Sequence, residues 1–177
     1  FNGNHETTQT DFNNYLKLRG YKFKSQSNEI GGYAILKKKD LSIIMDIGNV
    51  PEKKFSSSFQ SGPLSFEFIY KEEKLISNSG YFQNFKHQLN LISKSTACHS
   101  CLNIENSSSV TFIKQSSGIN KINSSLKIFN KKIIKNDEKW GFEASHNGYN
   151  KKFGIIHHRR VEFFNKVHKL YGTDRIE

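Results

Sequence analysis

The stretch "GGYAILKKKDLSIIMDIG", Gly31 to Gly48, holds two short apolar runs separated by the charged segment Lys37 to Asp40 and stopped by glycines at both ends. Apolar residues recur here with the period of strands rather than that of a helix, and the charged segment reads as a turn. The stretch is therefore a β-hairpin. Before it, "DFNNYLKLRG", Asp11 to Gly20, places Phe12, Tyr15 and Leu16, with Leu18 beside them, on one helical face. Asp11 reads as the N-cap and Gly20 as the stop.

Beyond the hairpin the pattern repeats. "LSFEFIYKEEKLISNSG", Leu64 to Gly80, alternates Leu64, Phe66 and Phe68, turns near Lys71 to Glu73, and ends at Asn78 to Gly80. Further strands are expected at Cys101 to Glu105, Val110 to Lys114, Ser125 to Phe129, Lys132 to Ile134, Trp140 to Ser145, Phe153 to Phe164 and Leu170 to Tyr171. Short strands at near-regular spacing between Ser, Asn and Gly turns predict an all-β antiparallel sandwich with one short N-terminal helix. The polar segment "KQSSGINKINSS", Lys114 to Ser125, is expected to be a mobile loop.

A chain of 177 residues, 35% hydrophobic and 13% aromatic, suffices for one buried core. No apolar run reaches 18 residues, so no helical membrane span is expected. The chain starts at Phe1 rather than Met, with no basic-then-apolar leader, and reads as a fragment. A formal charge of +11 favours polyanionic partners, whether acidic polysaccharide, anionic lipid or nucleic acid. The same abundance of Lys, Asn and Ile also follows from an AT-rich genome. The lysines are scattered among turns rather than gathered on one face, which argues against nucleic acid.

"STACHSCL", Ser95 to Leu102, is the one cluster of reactive side chains, with His99 between Cys98 and Cys101. A thiolate zinc site needs two ligand pairs and only one is present. A redox pair normally opens a helix, whereas "CLNIE" alternates like a strand. Two thiols in a partly buried strand are the expected outcome.

His99 belongs to a longer pattern. "KSTACHSCL" (94–102) resembles the "STxAHNT" word in the C-terminal sandwich of the heparinase II/III-like polysaccharide lyases. In chain order, "GGYAILKKKDLSIIMDIGNVP" (31–51), "SGPLSFEFIYKEEKLISNSG" (61–80), "EASHNGYNKKFGIIHHRRVEFF" (143–164) and "LYGTDRIE" (170–177) resemble the family's other segments. The opening "FNG" resembles the junction that leads out of its helical domain. Neutral words such as "NSG" resemble a subgroup of alphaproteobacterial type.

The resemblance implies residues 1–25 as a linker or helical segment left from an absent N-terminal α-helical toroid, and 26–177 as the sandwich, truncated at its C-terminus. It implies β-elimination on a uronic-acid polysaccharide, with the neutralising and acid/base groups largely on the helical partner domain. A periplasmic or extracytoplasmic location follows from the resemblance as well. Without the helical domain this chain is expected to be inactive. The non-enzymatic alternative is a glycan-binding or structural module of surface-polysaccharide remodelling.

By the same resemblance His99 and His157 are the catalytic candidates, and Gln60, His146 and Arg159 the substrate-binding ones. His157 and Arg159, two apart on a strand, share a face. An arginine beside a histidine suits a sugar carboxylate, and so does a polar seam inside the sandwich. Several members hold zinc with two His and one Asp. Here the H-x-H-x-D pattern reads Ser58-Phe59-Gln60-Ser61-Gly62, and Asn78 replaces the aspartate. Only His99 remains, so no stoichiometric zinc and no cofactor are expected.

Overall fold

The computed structural model describes residues 8–21 and 28–177. Helix α1 (Gln9–Leu18) is capped by Thr8, whose hydroxyl accepts from the Asp11 N–H while the Asp11 carboxylate accepts from the Thr8 N–H. Asp11 is thus the third helical residue of a capping box rather than the N-cap, because the threonine three positions earlier supplies the second half of the pair. Gly20 follows with φ of +73°, a left-handed conformation that ends the helix without steric cost. Phe12, Tyr15 and Leu18 are exposed. The expected "FNG" junction falls outside the described residues.

The chain from Asn28 onward is an all-β antiparallel sandwich. Strands β1 (Glu29–Ile30), β2 (Tyr33–Lys38), β3 (Leu41–Asp46), β4 (Phe66–Tyr70) and β5 (Glu73–Ile76) form one sheet in that order. A small hairpin pairs β6 (Phe112–Lys114) with β7 (Asn120–Ile122). Strands β8 (Ile128–Lys135), β9 (Lys139–His146), β10 (His157–Phe164) and β11 (Lys169–Ile176) form the second sheet, ordered β11-β10-β9-β8. Two short helices, α2 (Gln88–Ser93) and α3 (Asn150–Phe153), lie in the connections.

Alternation decides which side chains meet between the sheets. β2 and β3 turn Ala34, Leu36, Leu41, Ile43 and Met45 inward, and the second sheet answers with Trp140, Phe142, Ala144, Val161 and Phe163. Burying each large side chain stabilises the fold by roughly 1.5–3 kcal/mol. The inner faces of β9 and β10 continue past this apolar core with the buried residues His146, His157 and Arg159. One end of the sandwich interior is therefore polar.

Several sequence expectations need correction. Cys101 to Glu105 forms no strand, only a bridge between Ile104 and Ser107, because the segment is held by other bonds, such as that from the Tyr149 hydroxyl to the Leu102 carbonyl (2.6 Å). Lys114 to Ser125 is a paired hairpin rather than a loose loop, and the buried Ile122 N–H donates to Ser56 Oγ at 3.0 Å. The two strands expected at Ser125–Phe129 and Lys132–Ile134 are one strand, β8, interrupted by an irregularity between Phe129 and Lys132 with Asn130 at φ +53°. The strand expected from Phe153 begins only at His157, because α3 and the left-handed Gly154 precede it. Helix α2 escaped the sequence reading altogether.

Candidate functional site

Three segments that are distant in sequence converge beside the first sheet. Ser56–Leu64 supplies Gln60, the end of the second hairpin supplies Asn78, and the short 3-10 turn Thr96–Cys98 delivers His99. A knot of hydroxyls holds them. Thr96 Oγ1 donates to the Ser61 carbonyl at 2.8 Å and accepts from the Ser109 N–H at 2.9 Å, and Ser61 Oγ accepts from the Val110 N–H at 2.9 Å. Ser61, Thr96 and Ser109 are all buried. Such a knot is costly to break, because a buried polar group left without a partner loses its hydration for nothing.

His99 donates from Nδ1 to the Ser95 carbonyl at 2.8 Å, while Nε2 lies 3.2 Å from Gln60 Oε1. Burial lowers the His99 pKa, only partly opposed by the Ser95 bond, so the neutral ring is favoured. With its proton on Nδ1, the neutral ring leaves a lone pair on Nε2, and a half-turn of the Gln60 amide sets its NH₂ against that atom. Gly62 makes room for the ring: a Cβ there would lie 2.7 Å from His99 Cδ2.

Asn78 Oδ1 accepts from the Ser100 N–H at 2.9 Å, and the Asn78 N–H donates to Glu67 at 3.4 Å. Gln60, Asn78 and His99 line a hollow of about 260 Å³ with Tyr33, Asp46, Glu67 and Tyr81. Burial pushes the Asp46 carboxyl up to about 6, although the Gly48 N–H bonds it at 3.0 Å. Neither lysine nor arginine lines this hollow among the described residues. Asp46, Glu67 and the two tyrosines escaped the sequence reading, because the alternation of β3 marks which residues turn into the core and not which line a rim.

The other candidates lie deeper. His157 is fully buried and His146 is 1% exposed; they face each other across β10 and β9 with His146 Nε2 and His157 Nδ1 2.9 Å apart. The Gly148 N–H donates to His146 Nδ1 at 3.1 Å, so a neutral His146 carries its proton on Nε2 and donates it to His157. His157 then donates from Nε2 to Asp174 Oδ1 at 2.6 Å. Every ring nitrogen is satisfied with both rings neutral. Burial, and next the neighbouring His157, push His146 down to about 3.

Arg159 grips Asp174 in a fork, Nε to Oδ1 at 2.7 Å and Nη2 to Oδ2 at 2.9 Å. Its Nη1 donates to the carbonyls of Leu64 and Ser100, which flank the hollow. Burial works against the Asp174 charge, but the bonds from His157 and Arg159 outweigh it and hold the carboxyl well below the usual range. The structure therefore brings Gln60 and His99 together in the hollow, and places His146, His157 and Arg159 in a buried seam behind it.

Cys98 and Cys101 are unlinked, and burial pushes Cys101 up to about 12, which leaves it an inert thiol. Zinc does not fit the hollow: His99 is bonded to the Gln60 amide, Asn78 is tied to backbone, and no cluster of three His, Cys, Asp or Glu suited to a metal occurs among the described residues. No helix among those residues is long and apolar enough to cross a membrane.

Compared with known proteins, residues 23–177 match the family model described as "Heparinase II/III-like, C-terminal". No curated protein matches, and neither does any solved structure.

Proposed function

The chain belongs to the heparinase II/III-like C-terminal family, a family of polysaccharide-lyase-related domains, and from that premise we propose that it is the sandwich half of a lyase that cleaves a uronic-acid polysaccharide by β-elimination. The observation that carries the reading is the convergence of Gln60 and His99 from separate segments on one open hollow. At about 260 Å³ the hollow lies below the roughly 300–1,000 Å³ of pockets that enclose a ligand, which suits one wall of a cleft. A helical domain carried on the N-terminal side would form the other wall, in an extracytoplasmic setting.

Elimination requires a base at the uronate C5 proton, neutralisation of the uronate carboxylate, and an acid at the departing C4 oxygen. His99 Nε2 is the base in this reading, its lone pair freed when the Gln60 amide turns from the ring to hold a sugar hydroxyl. The carboxylates Asp46 and Glu67 repel a uronate, so its neutralisation falls to the helical domain. His157 and Arg159 act as positioning residues, since they reach the hollow only through Asp174, Leu64 and Ser100.

The test is ultraviolet absorbance of unsaturated uronate released from alginate, hyaluronan and heparin by the sandwich joined to its helical domain. Activity lost in His99→Ala at unchanged thermal midpoint supports the reading. Full activity in that variant removes His99 from the chemistry. The alternative, a non-catalytic glycan-binding module, is favoured by amides standing where a zinc-bearing relative has a histidine and an aspartate. It predicts polymer retained at unchanged length.

A further inference from the structure

A second depression lies apart from the hollow, at the end of the second sheet where β9 hands over to α3. It measures about 1040 Å³ and is lined by Lys53, Lys151 and Lys152, by the Asn123 to Ser125 turn, and by Asn147 and Phe153. Its chemistry is the reverse of the hollow's: three ammonium groups and no carboxylate among the described lining residues, where the hollow has two carboxylates and no cation. All three lysines are exposed.

The floor is firmly built. The Lys127 N–H donates to Asn147 Oδ1 at 2.7 Å, and Gly148 packs so closely that a Cβ would lie 2.7 Å from the Ser109 carbonyl oxygen. Ser124 Oγ is buried there with no hydrogen-bond partner among the described residues. That hydroxyl is shielded from the groove itself, which is lined by Asn123, Ser125 and Asn150 beside the lysines, residue types that donate to and accept from sugar hydroxyls. Lys152 Nζ sits 4.7 Å over the Phe153 ring, whose remaining surface offers a sugar ring an apolar face.

We propose that this groove binds the anionic groups of an acidic saccharide, carboxylate or sulfate, as a second site separate from the hollow around His99. The saccharide class rests on the polysaccharide reading above; the location and charge rest on the groove's own residues. At the upper end of the volume of small-molecule pockets and open to solvent, the groove has room for more than one sugar residue. Its lysines attract the polymer that the acidic hollow repels, and so keep substrate near the domain. Because lysine binds anions as a point charge, the groove should accept carboxylate and sulfate alike.

The experiment titrates a heparin-derived tetrasaccharide and a hyaluronan tetrasaccharide into the protein, following backbone amides by NMR and affinity by calorimetry at fixed salt. The expected shifts fall on Asn123 to Leu126 and Asn147 to Lys152. The triple variant Lys53→Glu, Lys151→Glu, Lys152→Glu should bind at least tenfold more weakly. A control with the same charge change, Lys37→Glu, Lys39→Glu, Lys166→Glu, lies at the opposite end of the strands and should bind only slightly more weakly than the wild type.

Equal losses in both triple variants would mean that net charge alone acts, and would overturn the proposal. Shifts confined to the hollow, around Gln60 and His99, overturn the groove while leaving the polysaccharide reading intact. Equal binding of a short single-stranded DNA, lost in the same groove variant, would make this a general polyanion site and overturn the saccharide class. No binding of either tetrasaccharide rejects the groove, and the uronate-release assay then judges the lyase reading separately.

Discussion

Asp174→Asn removes one negative charge and keeps the shape of the side chain. In the wild type that carboxylate accepts from His157 at 2.6 Å and from Arg159 at 2.7 and 2.9 Å. Arg159 is 7% exposed, so the variant leaves a buried guanidinium with its two carbonyl contacts but no counter-charge. Breaking a fully buried pair from one side costs about 3–5 kcal/mol. The Asp174 side chain is 38% exposed, and water screens part of that loss, so about 2–3 kcal/mol is expected. For a chain of this size that lowers the thermal midpoint at pH 7 by about 4–12 °C.

The pH dependence has a definite sign. The folded-state pKa of Asp174 is depressed, so its contribution is complete above the unfolded carboxylate range, near pH 4, and is lost as pH falls toward the folded value. The gap between wild type and variant should therefore be widest at neutral pH and shrink below pH 4. Calorimetric unfolding across that range checks both size and slope. A variant within about 0.5 kcal/mol of wild type at pH 7, the usual span of a surface substitution, would refute the view that this seam organises the polar end of the sandwich.

Gly62→Ala should drive the His99 ring from its place, since the new methyl meets Cδ2 at 2.7 Å and Cγ at 2.9 Å; unmoved His99 ring signals in NMR would contradict this. Thr96→Val keeps the shape but leaves the Ser109 N–H and the Ser61 hydroxyl short of a partner, and should cost roughly 2–4 kcal/mol in urea unfolding. Asp46→Asn should raise the thermal midpoint above pH 6 and change it little near pH 4, because a carboxyl whose folded pKa is raised to about 6 stabilises the fold only while protonated. His146→Gln should flatten the loss of stability between pH 6.5 and about 3, the window in which a histidine that stays neutral when folded takes up a proton on unfolding.

The sandwich was legible because strand alternation is a local property. Both leading hairpins, and the paired strands β9 and β10, follow from apolar residues at every second position. Helix α2 was not, since six residues capped by His87 carry too short a pattern to show a helical period. In the site, the proximity of Gln60 and His99 was foreshadowed only by resemblance, because 39 residues separate them and a hydroxyl knot joins them. The shared face of His157 and Arg159 was readable, but not its direction: parity says that two side chains agree, and only the opposing sheet says that they point inward.

That inward direction links the two depressions. Gly148, part of the groove floor, donates to His146; His146 donates to His157, and His157 to Asp174; Arg159 carries the chain on to Leu64 and Ser100 beside the hollow. Each step is a short bond between buried or half-buried groups, so the seam fixes the spacing of the two sites more firmly than loops would. Asp174→Asn, which cuts the seam at its middle, should therefore weaken saccharide binding in the groove and disturb the hollow together. Gly62→Ala acts within the hollow, on His99 and Ser65, and should leave groove affinity untouched. The pair of variants separates a shared scaffold from two independent surfaces: groove binding and His99 ring signals both unchanged in Asp174→Asn would show that the seam joins the sites in space without supporting either.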